Sequence, residues 1–414
     1  MIRVIPYSQA QDLIARKAVR LAEAERAVIP VLEAVRTRGD AGLREYAMRF
    51  DGFSGTDFRV PRETCQAALD AWPPALRSAV ETAAHNIRDY AGSQLPEYKS
   101  IEYRDGRRLG QIVRPLDAMG AYIPAGRYPL PSTLLMTAVP AQTAGVRRIA
   151  VACPRPSPEI LGIAALLGID ELYQFGGAQA IAALAYGTET IPKVDRIVGP
   201  GNIYVAAAKK LIAGEVGIDF VAGPTEIVII AHDGDPRFIA ADMLAQAEHD
   251  VDASAILLTD SESLAAAVAR EIESQLQTLS TAETARPAIT NNSAIVVVSG
   301  MDQGVAFSNA LAPEHLNIHD RLLLPGILHA GSIFIGPYSP EAAGDYASGP
   351  NHVLPTSGAA RLRGGLSAAD FVKVISVQEL TRDGLERLVP SITTLARAEG
   401  LEAHARSVEV RFAG

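Results

Sequence analysis

The fold class follows from RRIAVACPRPSPEILGIAALLGIDELYQFGGAQAIAALAYG (residues 147–187), in which short apolar runs alternate with longer Ala- and Leu-rich segments. The runs at 147–154 and 171–176 have the length and composition of buried strands. The segments at 156–170 and 177–187 have helical length and are rich in strong helix formers. This order of strand, helix, strand and helix predicts a parallel sheet covered by helices.

The same pattern recurs about 75 residues farther along the chain. Its first helix has a clear start signal, because Asp235 is a good N-cap residue and Pro236 suits the first helical position. Two βαβα units predict an α/β fold with two incomplete Rossmann-like domains. We expect a crevice at the carboxyl ends of the strands, where ligands of open parallel sheets usually bind. The predicted elements of the second unit are a strand at 225–231, a helix at 235–250, a strand at 253–260 and a helix at 261–279.

Helical and hairpin segments flank the two units. Residues 8–49 and 62–91 combine Ala, Leu, Arg and Glu with helical periodicity, and Gly39 is expected to end a helix. Polar and apolar residues alternate around the Asp-Gly pair at 105–106, which predicts a hairpin. Residues 381–414 are expected to form a helix-rich tail.

Composition excludes several classes of partner. The chain has 414 residues, of which 48% are hydrophobic and 21% charged, the balance of an ordinary globular protein. The net charge is -9 and no run of Lys or Arg occurs, so we expect no nucleic-acid partner. No apolar run has the length of a membrane span and the N terminus lacks a signal-peptide core, so we expect no membrane partner and a cytoplasmic location.

The two cysteines, Cys65 and Cys153, are too few for a disulfide framework or a thiolate metal cage. Any metal must therefore be held by His, carboxylate or amide ligands. Cys153 ends the predicted strand at 147–154, where a thiol could attack an aldehyde. A small buried hydrophobic residue is the favoured interpretation, and a nucleophile is the alternative.

Gln246 and His249 form a candidate ligand pair at the end of the predicted helix at 235–250. Three residues of separation place both side chains on one helix face, with Asp242 one turn earlier. Amide, imidazole and carboxylate donors suit zinc or manganese. The simpler interpretation from local sequence alone is a solvated helix face.

Two further segments carry chemically suited side chains. In LAPEHLNI, Glu314 directly precedes His315, and an adjacent acid and imidazole suit proton transfer near neutral pH. The segment SPEAAGDYASGPNHVLP contains Asp345 and His352 and has too many Gly, Pro and Asn residues for a buried element. It predicts either a site-building loop or a plain surface turn.

The other histidines give weaker signals. His404 lies near the chain end, five residues after Glu399. The rest have no chemical neighbour in the sequence and are predicted to be surface or satisfied core residues, namely His85, His232, His319 and His329.

The usual dinucleotide fingerprint, GxGxxG after a strand, does not occur. The nearest match, GPGN at 199–202, lacks the third glycine and is typical of a turn. The GGAQA segment at Gly176 opens a predicted helix after a strand, so its backbone N–H groups could hold an anion. Neither signal is specific.

Several long strings occur together and in one order, from RGDAGLREYAMRFD at Arg38 to the C terminus. They are GAYIPAGRYPLPSTLLM, FGGAQAIAALAYGTETIPKVDRIVGPGN, AGPTEIVII, DMLAQAEHD, APEHLNI, SPEAAGDYASGPNHVLPT and AEGLEAH. In these strings the chain resembles the histidinol dehydrogenases, zinc- and NAD-dependent enzymes of the last two steps of histidine biosynthesis. The resemblance covers most of the chain.

The resemblance implies a catalytic pair, Glu314 and His315, and a site for one Zn²⁺ per subunit and for NAD. The implied zinc ligands are Gln246, His249, Asp345 and His404. The implied NAD contacts are Tyr122, Gln179 and Asn202. The implied substrate contacts are Thr225, Gln246, His249, His315, Asp345, His352, Glu399 and His404.

The resemblance also implies a homodimer of intertwined subunits with shared active sites, in which the tail bearing His404 completes the partner's site. The corresponding division of the chain has four parts. They are an N-terminal segment at 1–15, a first α/β domain at 16–121 with 226–370 holding the zinc and catalytic residues, a second, NAD-binding α/β domain at 122–225, and a C-terminal tail at 371–414.

The implied reaction oxidises L-histidinol to L-histidine through bound L-histidinaldehyde, in two successive NAD-dependent hydride transfers with zinc orienting the substrate. Thr225 stands where many family members have serine, so the hydroxyl is kept and one methyl group is added. One alternative is a paralogue that oxidises another small alcohol, such as a sulfonated propanediol, with the same zinc and NAD machinery. A second is a catalytically silent small-molecule binder, against which the Glu314 and His315 pair counts.

Overall fold

The computed structural model describes residues 1–15, 21–125 and 128–413. Part of the predicted N-terminal helical region, two residues of the GAYIPAGRYPL string and the last residue of the predicted tail lie outside the described residues. The helices are α1 (Gln11–Ala15), α2 (Leu21–Asp51), α3 (Arg62–Asp70), α4 (Pro74–Ser93), α5 (Pro131–Thr143), α6 (Pro158–Leu166), α7 (Gly177–Tyr186), α8 (Ile203–Ile212), α9 (Pro236–Ala247), α10 (Glu262–Gln275), α11 (Ala282–Asn291), α12 (Met301–Leu311), α13 (Glu341–Tyr346), α14 (Arg382–Ala398) and α15 (Glu402–Glu409). The strands are β1 (Arg3–Pro6), β2 (Lys99–Glu102), β3 (Arg107–Pro115), β4 (Ala118–Tyr122), β5 (Arg148–Ala152), β6 (Glu171–Tyr173), β7 (Arg196–Val198), β8 (Gly217–Ile218), β9 (Glu226–Ile230), β10 (Ser254–Thr259), β11 (Ala294–Val297), β12 (His315–Ile318), β13 (Ser332–Ile335) and β14 (Val372–Leu380).

The chain forms two compact units. Unit 1 comprises Met1–Gln94 and Leu116–Phe371, and unit 2 comprises Leu95–Pro115 and Val372–Gly414. Unit 1 holds two parallel sheets, whereas unit 2 holds the hairpin and the tail. The domain boundaries given by the sequence stay predictions.

The first parallel sheet of unit 1 has six strands in the order β1-β11-β10-β9-β12-β13. Its central strand β9 is buried along its whole length, as its unbroken apolar run predicts. Helix α9 starts where expected, because the Asp235 carboxylate accepts a hydrogen bond from the Arg237 N–H (2.9 Å). The predicted βαβα unit at 225–279 is thereby confirmed.

The second parallel sheet of unit 1 has five strands in the order β6-β5-β4-β7-β8. Strands β5 and β6 and helices α6 and α7 occupy the segments predicted for 147–187. Apolar side chains of β5, β6 and α7 form one core with helix α2, which packs against α7 and α8. The prediction of an α/β fold built on two parallel sheets is confirmed.

Gly39 interrupts helix α2. Its φ of 52° and ψ of -130° break the helix, and a second helical segment follows directly. The next N–H, that of Asp40, donates to the Glu189 carboxylate (2.7 Å), and a Cβ at residue 39 would collide with that carboxylate. The predicted helix end at Gly39 is confirmed, because this turn requires a residue without a side chain.

Unit 2 contains a three-stranded antiparallel sheet in the order β14-β3-β2, followed by α14 and α15. The predicted hairpin around residues 105–106 and the helix-rich tail are both confirmed. Strand β14 is a nine-residue element that the sequence interpretation missed. Among the helices of the described ranges, none has both the length and the apolar character that crossing a bilayer requires.

Candidate active site

The main polar cluster of unit 1 lies at the amino ends of the neighbouring strands β9 and β12. Thr225 and Glu314 directly precede these strands. Helix α9 leaves the carboxyl end of β9 and returns to the amino edge, so its last turn brings Gln246 to the same cluster. The prediction of a crevice at the carboxyl ends of the strands is therefore wrong for these residues. Gln246 and His249 lie at the end of α9, which has returned to the amino ends of the strands.

The Glu314 carboxylate is buried and firmly anchored. The preceding Ala312 has a left-handed backbone (φ 53°) and ends α12, which turns the chain sharply into β12. Glu314 Oε2 lies 2.5 Å from the Thr225 hydroxyl and accepts the Glu226 N–H at 3.0 Å. Burial is the main cause that raises the pKa of Glu314 to about 8, against the opposing effect of these hydrogen bonds.

His315 is a buried imidazole that stays neutral. Burial lowers its pKa to about 4. Nδ1 lies 3.3 Å from the Glu226 carbonyl oxygen, which can only accept, so Nδ1 carries the proton. The Gln246 amide nitrogen is also 3.3 Å from Nδ1, but its hydrogens have nearer acceptors. Nε2 is buried without a hydrogen-bond partner and is the free lone pair of the site.

The orientation of the Gln246 carboxamide follows from its neighbours. With the nitrogen toward Glu341, Nε2 lies 2.9 and 3.1 Å from the two carboxylate oxygens, and Oε1 lies 2.8 Å from Thr225 Oγ1. The opposite orientation lets Nε2 donate to Thr225 (2.8 Å) but sets Oε1 against a carboxylate. Because two acceptors repel, the first orientation is the one that satisfies the amide.

The Thr225 hydroxyl has one hydrogen and two close oxygen neighbours, Glu314 Oε2 and Gln246 Oε1. It can donate to only one of them. When it donates to the amide oxygen, a protonated Glu314 supplies the hydrogen of the other contact. This arrangement agrees with the raised pKa of Glu314.

His249, Glu341 and Asp345 form the candidate metal centre. One ligand atom from each lies within 4.8 Å of the others. His249 Nδ1 lies 2.9 Å from the Ala245 carbonyl oxygen, which leaves Nε2 facing Asp345 at 3.9 Å. Imidazole nitrogen and carboxylate oxygens are donors that zinc accepts, so the residues present fit this metal.

Glu341 was missed by the sequence interpretation. It is 1% exposed, and burial together with the carboxylates of Asp345, Glu314 and Asp242 raises its pKa well above the ordinary value. The available signal was its position four residues before Asp345, the spacing that places two side chains on one helix face.

His352 connects this cluster to helix α5. Its Nδ1 lies 2.8 Å from the Asp345 carbonyl oxygen, and its Nε2 lies 3.2 Å from the Thr133 hydroxyl. Burial lowers the pKa of His352, so its imidazole is neutral. The predicted loop contributes to this cluster, with Asp345 on the short helix α13 and only His352 in the loop that follows.

A second polar cluster lies at the carboxyl ends of the five-stranded sheet, as expected for a parallel sheet. The Tyr122 hydroxyl accepts the Gly177 N–H (3.1 Å), and burial raises the pKa of Tyr122 to about 12. Gln179 Nε2 donates to Asp51 (3.0 Å), while Gln179 Oε1 is buried without a partner. Asp51, at the end of α2, also accepts the Gly176 N–H (2.9 Å) and was missed because its partners are more than a hundred residues away.

Asn202 begins α8 at the same edge. Its side-chain oxygen accepts the N–H groups of Tyr204 (3.0 Å) and Val205 (3.1 Å), so this oxygen caps the helix. The preceding Gly199 has a φ of 116°, and a Cβ there would collide with the Tyr122 carbonyl oxygen. The GPGN turn therefore approaches β4 closely, and glycine is required at that point.

A buried ion pair holds this turn. The Lys209 ammonium contacts the Asp219 carboxylate and donates to the Gly199 carbonyl oxygen (3.0 Å), and it is only 2% exposed. Asp219 in turn accepts the N–H groups of Gly199 (2.8 Å) and Phe220 (2.7 Å). Both backbone polar groups of Gly199 are thus fixed by side chains.

The favoured interpretation of Cys153 is confirmed. The side chain is fully buried, and burial raises the pKa of its thiol to about 12. The four histidines for which the sequence predicted no chemical role lie outside both polar clusters. His232 has a partner that the sequence did not reveal, Asp260, at 2.6 Å. His319 Nδ1 lies 3.1 Å from the Asp233 carbonyl oxygen.

His404 and Glu399 belong to unit 2. His404 lies on α15 and Glu399 directly follows α14, and both side chains are exposed within the chain. Within unit 1, the structure brings seven predicted site residues together at the amino edge and the three predicted NAD contacts into the second cluster. The seven are Thr225, Gln246, His249, Glu314, His315, Asp345 and His352.

Comparison with known proteins gives one consistent result. The family model described as histidinol dehydrogenase matches residues 14–412. A histidinol dehydrogenase of Methanothermobacter thermautotrophicus is 46% identical over 98% of this chain and 97% of its own length, and one of Geobacillus kaustophilus is 49% identical over 94% of each. A crystal structure of histidinol dehydrogenase from Elizabethkingia anophelis superposes with a TM-score of 0.93 at 39% identity, covering 99% of this chain and 98% of that one. The chain belongs to the histidinol dehydrogenase family and is an oxidoreductase.

Proposed function

We propose that the protein oxidises L-histidinol to L-histidine through bound L-histidinaldehyde, in two successive NAD-dependent hydride transfers with zinc orienting the substrate. The observation that carries the proposal is the buried pair of Glu314 and His315, two proton acceptors set beside a cluster of metal-binding donors. Such a pair has no evident use in a protein that only binds a small molecule, because burying titratable groups opposes folding.

Gln246, His249 and Asp345 would hold the zinc ion in unit 1, with His404 as the fourth ligand. When bound, zinc orients the amine and imidazole of histidinol by direct ligation. The chain's own contribution is to keep these donors in place before substrate arrives. The Ala245 carbonyl fixes the His249 ring, and the Thr225 hydroxyl contacts the Gln246 amide.

In the first oxidation, His315 acts as the general base. Its neutral imidazole offers a free Nε2 lone pair, which takes the alcohol proton as the carbinol carbon loses hydride. The Nδ1 contact to the Glu226 carbonyl stabilises the imidazolium that results. The product of this step is the aldehyde, and NAD, held by the residues predicted to contact it, would supply the hydride acceptor.

In the second oxidation, Glu314 supplies the base for hydration. Its deprotonated carboxylate takes a proton from water as the water oxygen adds to the aldehyde carbon, and the imidazolium of His315 gives its proton to the carbonyl oxygen, which yields the hydrate and a neutral His315. His315 then takes a hydroxyl proton of the hydrate while the carbon loses its second hydride, for which a second NAD would be the acceptor. The product is the carboxylic acid, which ionises to the carboxylate. A carboxyl group whose pKa is about 8 suits this role, because a weaker acid is a stronger base.

The remaining predicted contacts divide by location. Thr225 and His352 border the catalytic cluster and would bind substrate together with Glu399 of the tail. Tyr122, Gln179 and Asn202 would contact NAD at the carboxyl edge of the five-stranded sheet, where the unpartnered Gln179 Oε1 offers an acceptor. The alternative of a paralogue oxidising another small alcohol has no specific observation in its favour.

A homodimer with shared active sites is part of the proposal. Strand β14 is an edge strand whose side chains are exposed on both faces, with Val374 at 50% and Ile375 at 44%. The tail helices also expose Leu395 and Leu401. Apolar surface of this extent supports burial against a second copy of the chain. Exchange of the tail would explain how His404 reaches a zinc site.

The deciding experiment measures NADH formed per L-histidinol, with zinc-loaded protein, excess NAD and limiting substrate. The proposal expects two NADH per substrate, and His315→Asn as the matched control should form almost none. One NADH per substrate would contradict the second oxidation, and none would contradict the substrate. A second experiment tests the shared site by mixing inactive His404→Ala protein with inactive His315→Asn protein. Part of the activity should return once subunits exchange. No recovery in a mixture that light scattering shows to be dimeric would contradict the shared site.

A further inference from the structure

Helix α5 has a proline in its interior, Pro140, although the helix continues past it to Thr143. In an α-helix each carbonyl oxygen accepts the N–H group four residues farther along, and proline has no N–H group. The carbonyl of Met136 therefore lacks its regular helical donor. Met136 is fully buried, and a buried carbonyl without a donor opposes folding.

Asn351 supplies a donor to this carbonyl. Its Nδ2 lies 2.5 Å from the Met136 carbonyl oxygen, and its Oδ1 accepts the Val353 N–H at 2.9 Å. These partners determine the orientation of the carboxamide, because a carbonyl oxygen can only accept and a backbone N–H can only donate. Asn351 is itself only 9% exposed, so both contacts lie in the interior of the protein.

The two contacts of Asn351 lie on either side of His352. Asn351 joins the loop to α5 directly before the histidine, and its bond to the Val353 N–H closes a short turn around it. Thr133, in the first turn of the same helix, contacts the His352 ring. The ring contacts with Thr133 and the Asp345 carbonyl set the rotation of the ring, whereas Asn351 fixes the backbone that carries it.

We propose that Asn351 is a positioning residue that binds the carbonyl left open by Pro140 and thereby fixes His352 in the substrate site. The inference rests on the proposed function, in which His352 contacts L-histidinol. A binding residue on a loop is precise only if a rigid element supports it. Here the rigid element is α5, which is buried along most of its length.

The first test measures KM and kcat for L-histidinol with zinc-loaded protein and saturating NAD. Asn351→Leu keeps the size of the side chain but removes both hydrogen bonds. The KM should rise about fivefold or more, the scale of one net hydrogen bond, while kcat stays within a few-fold. Asn309→Leu is the matched control, because Asn309 donates to the Gly326 carbonyl and accepts the Leu328 N–H, both at 2.8 Å, outside the two polar clusters. It should leave both constants unchanged.

The second test determines whether Asn351 acts through His352. His352→Ala should itself raise the KM for L-histidinol. Adding Asn351→Leu should then raise it little further, because the side chain that Asn351 positions is already gone. A double variant in which the two effects multiply would contradict the proposal.

The third test separates positioning from stability. Pro140→Ala gives residue 140 an N–H group, which can satisfy the Met136 carbonyl when Asn351 is replaced. In urea unfolding at one protein concentration, Pro140→Ala should stabilise the Asn351→Leu variant more than the wild type, whereas Pro287→Ala, inside α11, should affect both equally. The raised KM should persist in the double variant, since the loop is still not bonded to α5. If Asn351→Leu alone does not fold, the double variant is compared with Pro140→Ala.

The outcomes distinguish this inference from the proposed function. Wild-type protein that does not oxidise L-histidinol would overturn the proposed function and this inference with it. Active wild type with an unchanged KM in Asn351→Leu would overturn the positioning role alone. So would a KM that recovers together with stability on adding Pro140→Ala, since the role of Asn351 would then be structural. Equal stabilisation by Pro140→Ala with and without Asn351 would refute the bond to the Met136 carbonyl.

Discussion

Replacing Lys209 with methionine tests how the glycine turn beside the proposed NAD site is held. Lys209 and Asp219 are 2% and 5% exposed, so methionine fills the space of the lysine stem but leaves a buried carboxylate without its counter-ion. Removing one member of a buried ion pair usually costs about 3–5 kcal/mol. Asp219 keeps two backbone N–H donors, which favours the lower end of this range. The Gly199 carbonyl loses its donor as well, which adds about 1 kcal/mol.

The neighbouring Lys210 provides a matched control. It pairs with Glu25 at 2.6 Å, but its side chain is 51% exposed, so Lys210→Met should cost less than about 1 kcal/mol. Urea unfolding at one fixed protein concentration measures both variants, because the stability of a dimer depends on concentration. Adding Asp219→Asn to Lys209→Met should recover part of the loss, since it removes the unpaired charge. Equal costs for Lys209→Met and Lys210→Met would refute the reasoning.

Three further predictions concern the two clusters. Glu314→Gln keeps an oxygen for the Thr225 and Glu226 contacts but removes the base. Oxidation of supplied L-histidinaldehyde should therefore slow by about 10²- to 10⁴-fold, and this loss should exceed the loss in oxidation of L-histidinol. Equal losses in the two reactions would contradict the role of Glu314 in hydration. Cys153 should resist iodoacetamide in the folded protein at pH 8, because a thiol pKa of about 12 leaves only about 10⁻⁴ of the side chain as thiolate. The Cys153→Ala variant should stay within a few-fold of wild-type activity. Rapid alkylation with inactivation would revive a covalent mechanism. Asp51→Asn should raise the KM for NAD about tenfold or more without changing the NADH yield. The substitution weakens the charged hydrogen bond that Asp51 accepts from Gln179, a bond that contributes about 1.5–3 kcal/mol. An unchanged KM would contradict a role for Gln179 in NAD binding.

Elements with strong local signals could be predicted from the sequence. Helix α9 begins at a capping aspartate followed by proline, and β9 is an apolar run buried on both faces, so local chemistry and tertiary structure agree. Strand β14 was missed because its partner is the hairpin strand β3, which lies far away in the sequence. Its exposed apolar side chains also look unlike the core strands that precede it.

The location of the catalytic cluster depends on sheet order, which local patterns do not encode. Strand β12 follows β11 in the chain but pairs with β9, and this places Glu314 beside Thr225. Only the family resemblance brought these residues together at the sequence level. Glu341 and Asp51 were missed for a related reason, since each is defined by a contact with a glutamine on another element.

The two clusters share one arrangement, a buried glutamine whose amide nitrogen faces a carboxyl group. Gln179 and Gln246 are both fully buried, and each directs its amide nitrogen at a carboxyl group, the partly buried Asp51 in one case and the buried Glu341 in the other. Burial raises the pKa of each carboxyl group, so keeping either one ionised costs folding free energy. An amide held by a neutral partner could present either end to a ligand, whereas one held by a carboxylate presents its oxygen. Two carbonyl oxygens of fixed direction result, one unpartnered at the proposed NAD site and one facing the Thr225 hydroxyl, and the energetic cost is one partly buried and one buried acid.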